Sequence, residues 1–312
     1  MNIYYYIIII LIIYYFCKSK KENYSQIEAN KIIYNLIKKN KNFSIARCGV
    51  GSEFVFAYDY MFNKNIIPPE ILHRQAGIYF DESKTETNSD FNYEKELYSQ
   101  LYLDAIRNCD YLGAWYDWPN THQRELYFIN KYKLKHFRAE VLDFQDVEIP
   151  WTYALKNKKV LVISPFADIM KHQYKKRKFL FKNKKILPKF KLHTITALST
   201  SGYNKIGKSW YDNYKVMCDQ IDKIDFDIAL LSCGGYGHPL LNYIKMDKKK
   251  SAIYTGGSLQ LLFGIKGKRW DDRPAYSSKY NKYWVRPTDK IKGIQKLSNI
   301  DGLKKTESGC YL

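Results

Sequence analysis

The chain is poor in cysteine and has no CxxC pair. Six cysteines are scattered over 312 residues, at Cys17, Cys48, Cys109, Cys218, Cys233 and Cys310. This spacing excludes a disulfide scaffold and the common zinc frameworks, and it predicts buried free thiols, which suits a reducing compartment. Acid is scarce too: 31 Asp and Glu stand against 51 Lys and Arg, for a net charge of +20. That balance favours an anionic partner, such as a phosphate-bearing ligand, lipid head groups or nucleic acid. No recognised DNA-reading helix or aromatic RNA motif is present, so nucleic acid has no support beyond charge. There is no internal repeat and no GxGxxG.

A full-length apolar span is also missing. Ile3 to Cys17 is uncharged but only 15 residues long, against roughly 17–25 for a membrane helix. No basic residue precedes it and no A-x-A site follows, which disfavours a cleaved signal peptide. Tyrosine pairs at both ends suit interfacial rings, so residues 3–17 read as an uncleaved single-pass anchor. Lys18, Lys20 and Lys21 follow the run, and the positive-inside rule then leaves the body on the cytoplasmic side. A cleaved signal or a buried strand are the rivals. The whole chain is 46% apolar and 26% charged, so its body is globular and not disordered. Heavy use of Tyr, Lys, Ile and Asn matches A/T-rich codons.

Four stretches follow: an anchor over 1–21, two parts of an α/β body over 22–150 and 151–290, and a tail over 291–312. Ala29, Ile32, Ile33, Leu36 and Ile37 recur at helical spacing within Gln26–Asn40. Phe43–Ala46 reads as a strand that runs into Arg47-Cys-Gly-Val-Gly-Ser-Glu53 and a second helix. Phe80–Asn92 reads as a loop, Tyr93–Asn108 as a helix and Asp110–Trp115 as a strand. An acidic link, Val141–Ile149, ends at Pro150-Trp151. Beyond it the apolar runs Val160–Ile163, Leu192–Ala197, Asp227–Leu231 and Ala252–Tyr254 read as strands, and Ser209 caps a helix. Buried strands alternating with helices predict a Rossmann-like, mostly parallel sheet flanked by helices. From Ile169 to Tyr211 twelve Lys or Arg occur with no acid. This stretch is either a solvated surface or a patch that faces membrane or phosphate.

Small-residue turns at the carboxyl ends of the strands are the candidate ligand sites. In the first, Gly49 and Gly51 permit close backbone approach, Arg47 offers a planar fork to an anion, and Glu53 is the one acid, a base or metal ligand. The bland alternative is that Glu53 favours its helix N-terminus and pairs with Arg47. The second is Ser232-Cys-Gly-Gly-Tyr-Gly237, with Gly234, Gly235, Tyr236 and Gly237. The third holds Gly256 and Gly257. Ser164 ends an earlier strand. His172, His238 and Cys233 follow strand-end turns and are structural unless partnered. Trp115 and Trp118 either stack on a sugar or base or pack in the core.

Together "SIARCGVGSEF", "PWTYALKNKKVLVISPFADIMKHQY", "DFDIALLSCGGYGHPLLNYIK" and "IYTGGSLQLLFGIKGKRWD" resemble glycosyltransferases of the GT-D fold, over about Phe43 to Asp271. The resemblance implies a nucleotide-diphosphate sugar donor and a glycan or glycoprotein acceptor. It implies Arg47, Gly49 and Glu53 in the N-terminal motif, and Gly234, Gly235, Gly256 and Gly257 in a donor pocket. The family motif often carries Asp-x-Glu, suited to Mn²⁺ or Mg²⁺. Here Val50 and Gly51 stand where the Asp would be, and Glu53 is one residue further on.

Overall fold

The computed structural model describes residues 24–49, 51–62, 69–80, 88–198, 209–291 and 311–312. The apolar run 3–17 lies outside them. Among the described residues no helix is long and apolar enough to cross a membrane.

Helix α1 spans Gln26–Lys38. Ser25 Oγ accepts from the Glu28 N–H, and the Glu28 carboxylate accepts from the Ser25 N–H, so two otherwise orphaned donors are satisfied at once. Ala29, Ile33 and Ile37 are its buried stripe. Strand β1 is Ser44–Arg47 and leads to α2, Ser52–Met61. Then come α3, Pro69–Ala76, and α4, Asn88–Arg107. Strand β2 is Tyr111–Ala114, α5 is Pro119–Tyr132 and β3 is Lys135–Arg138. After the link come β4, Lys159–Ser164, α6, Ala167–Lys175, and β5, Lys191–Thr196. The last elements are α7, Trp210–Asp222, β6, Ile228–Leu231, α8, Gly237–Met246, and β7, Ser251–Tyr254. Ser209 caps α7 by accepting from the Asp212 N–H.

The seven strands form one wholly parallel sheet in the order β3-β2-β1-β7-β6-β4-β5. Strands from both sides of Pro150 meet where Ile45 pairs with Ile253, so the acidic link joins two halves of one sheet. Alternate residues feed two cores, as the period-2 geometry of strands requires. Ala46, Leu161, Ile163, Ala229, Leu231 and Ala252 face α2, α4, α7 and α8. Ile45, Val160, Val162, Ile228, Leu230 and Ile253 face α1, α6 and Leu259–Phe263. With helices on both faces the inner strands β1, β4, β6 and β7 are buried almost throughout, which explains their continuous apolar runs.

Several elements differ from the sequence expectation, which had no counterpart of α3. Helix α4 begins at Asn88, inside the stretch read as a loop, because its first turn is polar. Helix α5 and strand β3 escape the pattern altogether. The buried face of α5 includes Thr121, His122 and Glu125, which break the apolar period. β3 is a sheet edge of sequence Lys-His-Phe-Arg, with only Phe137 apolar.

Candidate functional site

The strand order creates several crevices, and one of them lies between β1 and β7. The chain leaving β1 turns to one face of the sheet, where Phe54 of α2 is buried. The chain leaving adjacent β7 turns to the other, where Leu259 and Leu261 are buried. Neighbouring strands whose connections part to opposite faces form the switch point at which parallel sheets bind ligands.

Arg47 ends β1 at this crevice. Its Nη1 donates to Asp143 Oδ1 at 2.7 Å, to the Thr255 carbonyl at 2.7 Å and to Ser258 Oγ at 3.1 Å. Its guanidinium carbon lies 4.7 Å from the centre of the Trp115 ring. Asp143 in turn accepts from the Tyr276 hydroxyl at 2.5 Å. Thus the arginine pairs with Asp143, not with Glu53. One of its three nitrogens is committed. Nε and Nη2 have no protein acceptor among the described residues.

Glu53 lies in the first turn of α2. Its carboxyl sits against Gly49, where a Cβ would lie 2.1 Å from Oε1. Only glycine leaves that space. The residue keeps some contact with solvent, yet protein atoms crowd the carboxyl, and burial holds its pKa above the ordinary glutamate range; a hydrogen bond from its own N–H opposes this only in part. No cation pairs with it among the described residues. Around it stand Tyr98, Tyr102 and Tyr254, whose hydroxyls burial pushes well up, with the Glu53 carboxylate adding to the rise. His238 is fully buried, stacked on Tyr102 at 4.1 Å and edge-on to Tyr254 at 4.8 Å. Burial lowers its pKa to about 3, so it is neutral. Among the described residues neither of its ring nitrogens has a partner, nor do the buried Tyr98 hydroxyl and Ser52 Oγ. Buried polar atoms without partners are uncommon and mark places where water or a ligand completes the bonding.

The glycine turns converge on the same edge. Tyr254 donates from its hydroxyl to the Gly234 carbonyl at 3.1 Å. Thr255, the next residue, accepts from Arg47. Gly234 has φ +54° and would place a Cβ 2.6 Å from the Ala76 carbonyl, so the turn both needs the left-handed conformation and admits α3 closely. A side chain at Gly235 would strike Ile78, one at Gly237 the Tyr254 ring and one at Gly257 the Tyr311 ring. Gly256 differs: with φ +64°, its nearest neighbours are Arg47 Cδ and Nε, both at 3.9 Å. Gly51 likewise looks toward the Glu53 carboxylate at 3.4 Å. Space therefore remains beside Arg47 and Glu53, while protein fills it at the other glycines.

Some candidates lie apart. Ser164 ends β4, with β6 and β7 between it and β1; at about 4.8 Å per strand that is roughly 14 Å away. Its Oγ accepts from the Phe166 N–H and shapes its own turn. Tyr236 is fully buried, and its hydroxyl accepts from Asn213 at 3.4 Å. Cys233 is buried and its thiol is pushed up by burial, which disfavours the thiolate a nucleophile needs. The four described cysteines, Cys48, Cys109, Cys218 and Cys233, are all free and buried. His172 lies on α6, its pKa lowered by burial and then by Lys176 and Lys175. Trp115 gives a ring face to Arg47 and donates from Nε1 to the Cys48 carbonyl at 2.5 Å. Trp118 is exposed.

Among the described residues no group of three His, Cys, Asp or Glu could hold a metal ion. Asp143, the second carboxylate at this edge, is committed to Arg47 and Tyr276. Glu125 is committed to His122 and the Trp115 N–H, so among the described residues Glu53 is the one carboxylate here free of such bonds, which does not fit a resident Mn²⁺ or Mg²⁺. Sequence reading missed Asp143 and the tyrosines. Asp143 follows β3, and without β3 its segment read as a link. Compared with protein families, curated proteins and solved structures, the chain matches none.

Proposed function

We propose that this chain is a glycosyltransferase that moves a sugar from a nucleotide-diphosphate sugar to a hydroxyl of a glycan or glycoprotein acceptor. The observation that carries the reading is a crowded carboxyl without a counter-ion, Glu53, one turn from an arginine with two open nitrogens, Arg47, at a switch point of the sheet. In the transfer, the acceptor oxygen attacks C1 of the donor sugar and forms the new C1–O bond. The bond from C1 to the diphosphate oxygen breaks, and the diphosphate leaves with the electron pair. The acceptor proton passes to the Glu53 carboxylate. Arg47 Nε and Nη2, with the N-terminus of α2, stabilise charge on the leaving diphosphate. A raised pKa brings Glu53 nearer to the working pH, which strengthens it as a base. The donor set assigns no step to a metal.

A second reading is a membrane-tethered binding protein on a degenerate transferase fold. What favours it is the filling of the space at Gly234, Gly235 and Gly257 by Ala76, Ile78 and Tyr311. A thermal-shift screen of nucleotide sugars, with and without Mn²⁺, separates the two. A donor at a hundred times its Kd stabilises by about 2.7 kcal/mol, so at least one sugar nucleotide should raise the melting temperature, and transfer from that donor should follow. Stabilisation by free glycans alone, with no transfer from any common donor, would leave the binding reading standing.

A further inference from the structure

The basic segment after α6 is not scattered over the molecule. Asn183 donates from Nδ2 to the Val147 carbonyl at 2.7 Å, and Phe181 packs on Phe144 with ring centres 5.2 Å apart. The 145–149 segment is tied in turn to α1: Gln26 donates to Gln145 at 2.7 Å and Asn30 to the Ile149 carbonyl at 2.9 Å. The start of α1, the 145–149 segment and the 177–185 segment therefore share one outer surface, over the layer that buries Ile33, Trp151 and Leu180.

That surface carries two unlike features together. Lys175, Lys178, Lys182 and Lys184 are exposed and have no carboxylate within ion-pair distance among the described residues. Of its acids, Asp146 pairs with Lys279 and Glu148 with Lys185 at 3.8 Å, while Glu28 is taken up by Ser25 in the cap of α1. Amid these charges Phe179 is 54% exposed, Ile149 46%, Val147 41% and Ile27 79%. Half of the eight exposed large apolar residues among those described thus lie on this one surface. Lysines around exposed apolar side chains match an anionic bilayer, which takes charge at its head groups and apolar groups just beneath them. A nucleic acid would use the lysines but leave Val147, Ile149 and Ile27 without a partner.

The chain entering this surface supports the same partner. The uncharged run ends at Cys17, nine residues before Gln26, with Lys18, Lys20 and Lys21 between. Nine extended residues reach at most about 30 Å, so a membrane-held run would keep the start of α1 near the bilayer. We infer that this surface is a docking face for an anionic membrane, and that the body lies on the bilayer by Phe179, Val147 and Ile149 amid the lysines of 175–185. The inference does not rest on the transferase reading.

The test uses the full chain in vesicles, with Cys17→Ser and Cys310→Ser, the other four thiols being buried. A polarity-sensitive fluorophore is placed at Phe179→Cys or, on the other side of the sheet, at Met246→Cys. In vesicles with roughly 30% phosphatidylserine, emission at position 179 should shift to the blue, and about 0.5 M NaCl, where screening reaches a few ångströms, should reverse it. Pure phosphatidylcholine should give no shift, and position 246 should report water throughout. Lys178→Glu, Lys182→Glu and Lys184→Glu together should weaken docking by about 100-fold or more, since each basic residue near such a surface is worth about fivefold. Equal emission in the two lipids, or an equal shift at position 246, would overturn the inference. So would an oligonucleotide that shifts the 179 probe where phosphatidylserine does not.

Discussion

Glu53→Gln should stabilise the protein at alkaline pH while removing transfer. The carboxyl sits against Gly49 among Tyr98, Tyr102 and Tyr254, with no cation beside it. Burial raises its pKa. A carboxyl whose folded pKa lies above its unfolded value binds more proton when folded, so stability falls as pH rises between the two values. Above the folded pKa the wild type carries the full cost of an uncompensated buried charge. Each pKa unit corresponds to about 1.4 kcal/mol, which moves the melting temperature of a chain this size by about 2–4 °C. Gln keeps the shape and removes the charge. Scanning calorimetry at pH 8 should therefore show Glu53→Gln melting above wild type. The gap should narrow as pH falls through the folded pKa and close near the unfolded value, where the carboxyl is neutral in both states. Transfer at pH 8 should fall by about 10²-fold or more, the scale of a lost general base. A variant that melts below wild type at pH 8, or a gap that ignores pH, would refute the reasoning.

Three further outcomes follow from the same geometry. Arg47→Ala should lower stability by about 3–5 kcal/mol in urea titrations, because it leaves the buried Asp143 without its cation; Asp143→Asn with Arg47→Ala should recover much of that loss, so donor affinity can be read in the double variant. Gly49→Ala should abolish transfer as thoroughly as Glu53→Gln, since its Cβ would lie 2.1 Å from Glu53 Oε1 and must displace the carboxylate; unaltered rates would show that the carboxylate position does not matter. Gly234→Ala should cost at least about 1–3 kcal/mol by denaturant titration, from positive φ and the clash with the Ala76 carbonyl, whereas Gly256→Ala should cost less because only Arg47 is near, at 3.9 Å.

The parts of the fold legible in the sequence are those where burial is two-sided. Val160–Ile163 and Asp227–Leu231 lie in the middle of the sheet, and covering both faces made them continuous apolar runs. Ser209 and the stripe of α1 follow local rules that need no tertiary context. By contrast, α5 buries His122 and Glu125, which satisfy one another at 3.2 Å and cover the Trp115 N–H, so its inner face looks polar until the partners are known. Strand β3 at the edge is half solvated. Losing these two elements hid Asp143, because nothing then placed residues after 138 at the carboxyl edge. Arg47 and Glu53 could be read as an adjacent pair in sequence; that a third residue, 96 positions on, takes the arginine is a tertiary fact.

That third residue changes what the arginine can do. An Arg47–Glu53 pair would lower the carboxyl's pKa and occupy the guanidinium, leaving neither base nor anion site. Asp143 instead holds Nη1 in place, with Thr255 and Ser258, while Trp115 covers the ring face. The arginine is thereby fixed in one orientation with Nε and Nη2 open. Glu53 is spared a cation and kept basic. Both conditions depend on Gly49 and Gly256 having no side chains, one giving room to the carboxyl and the other leaving space beside the guanidinium. Division of labour between Asp143 and Glu53 thus allows one strand end to hold an arginine with two open nitrogens and a raised carboxyl a single turn apart without their neutralising each other.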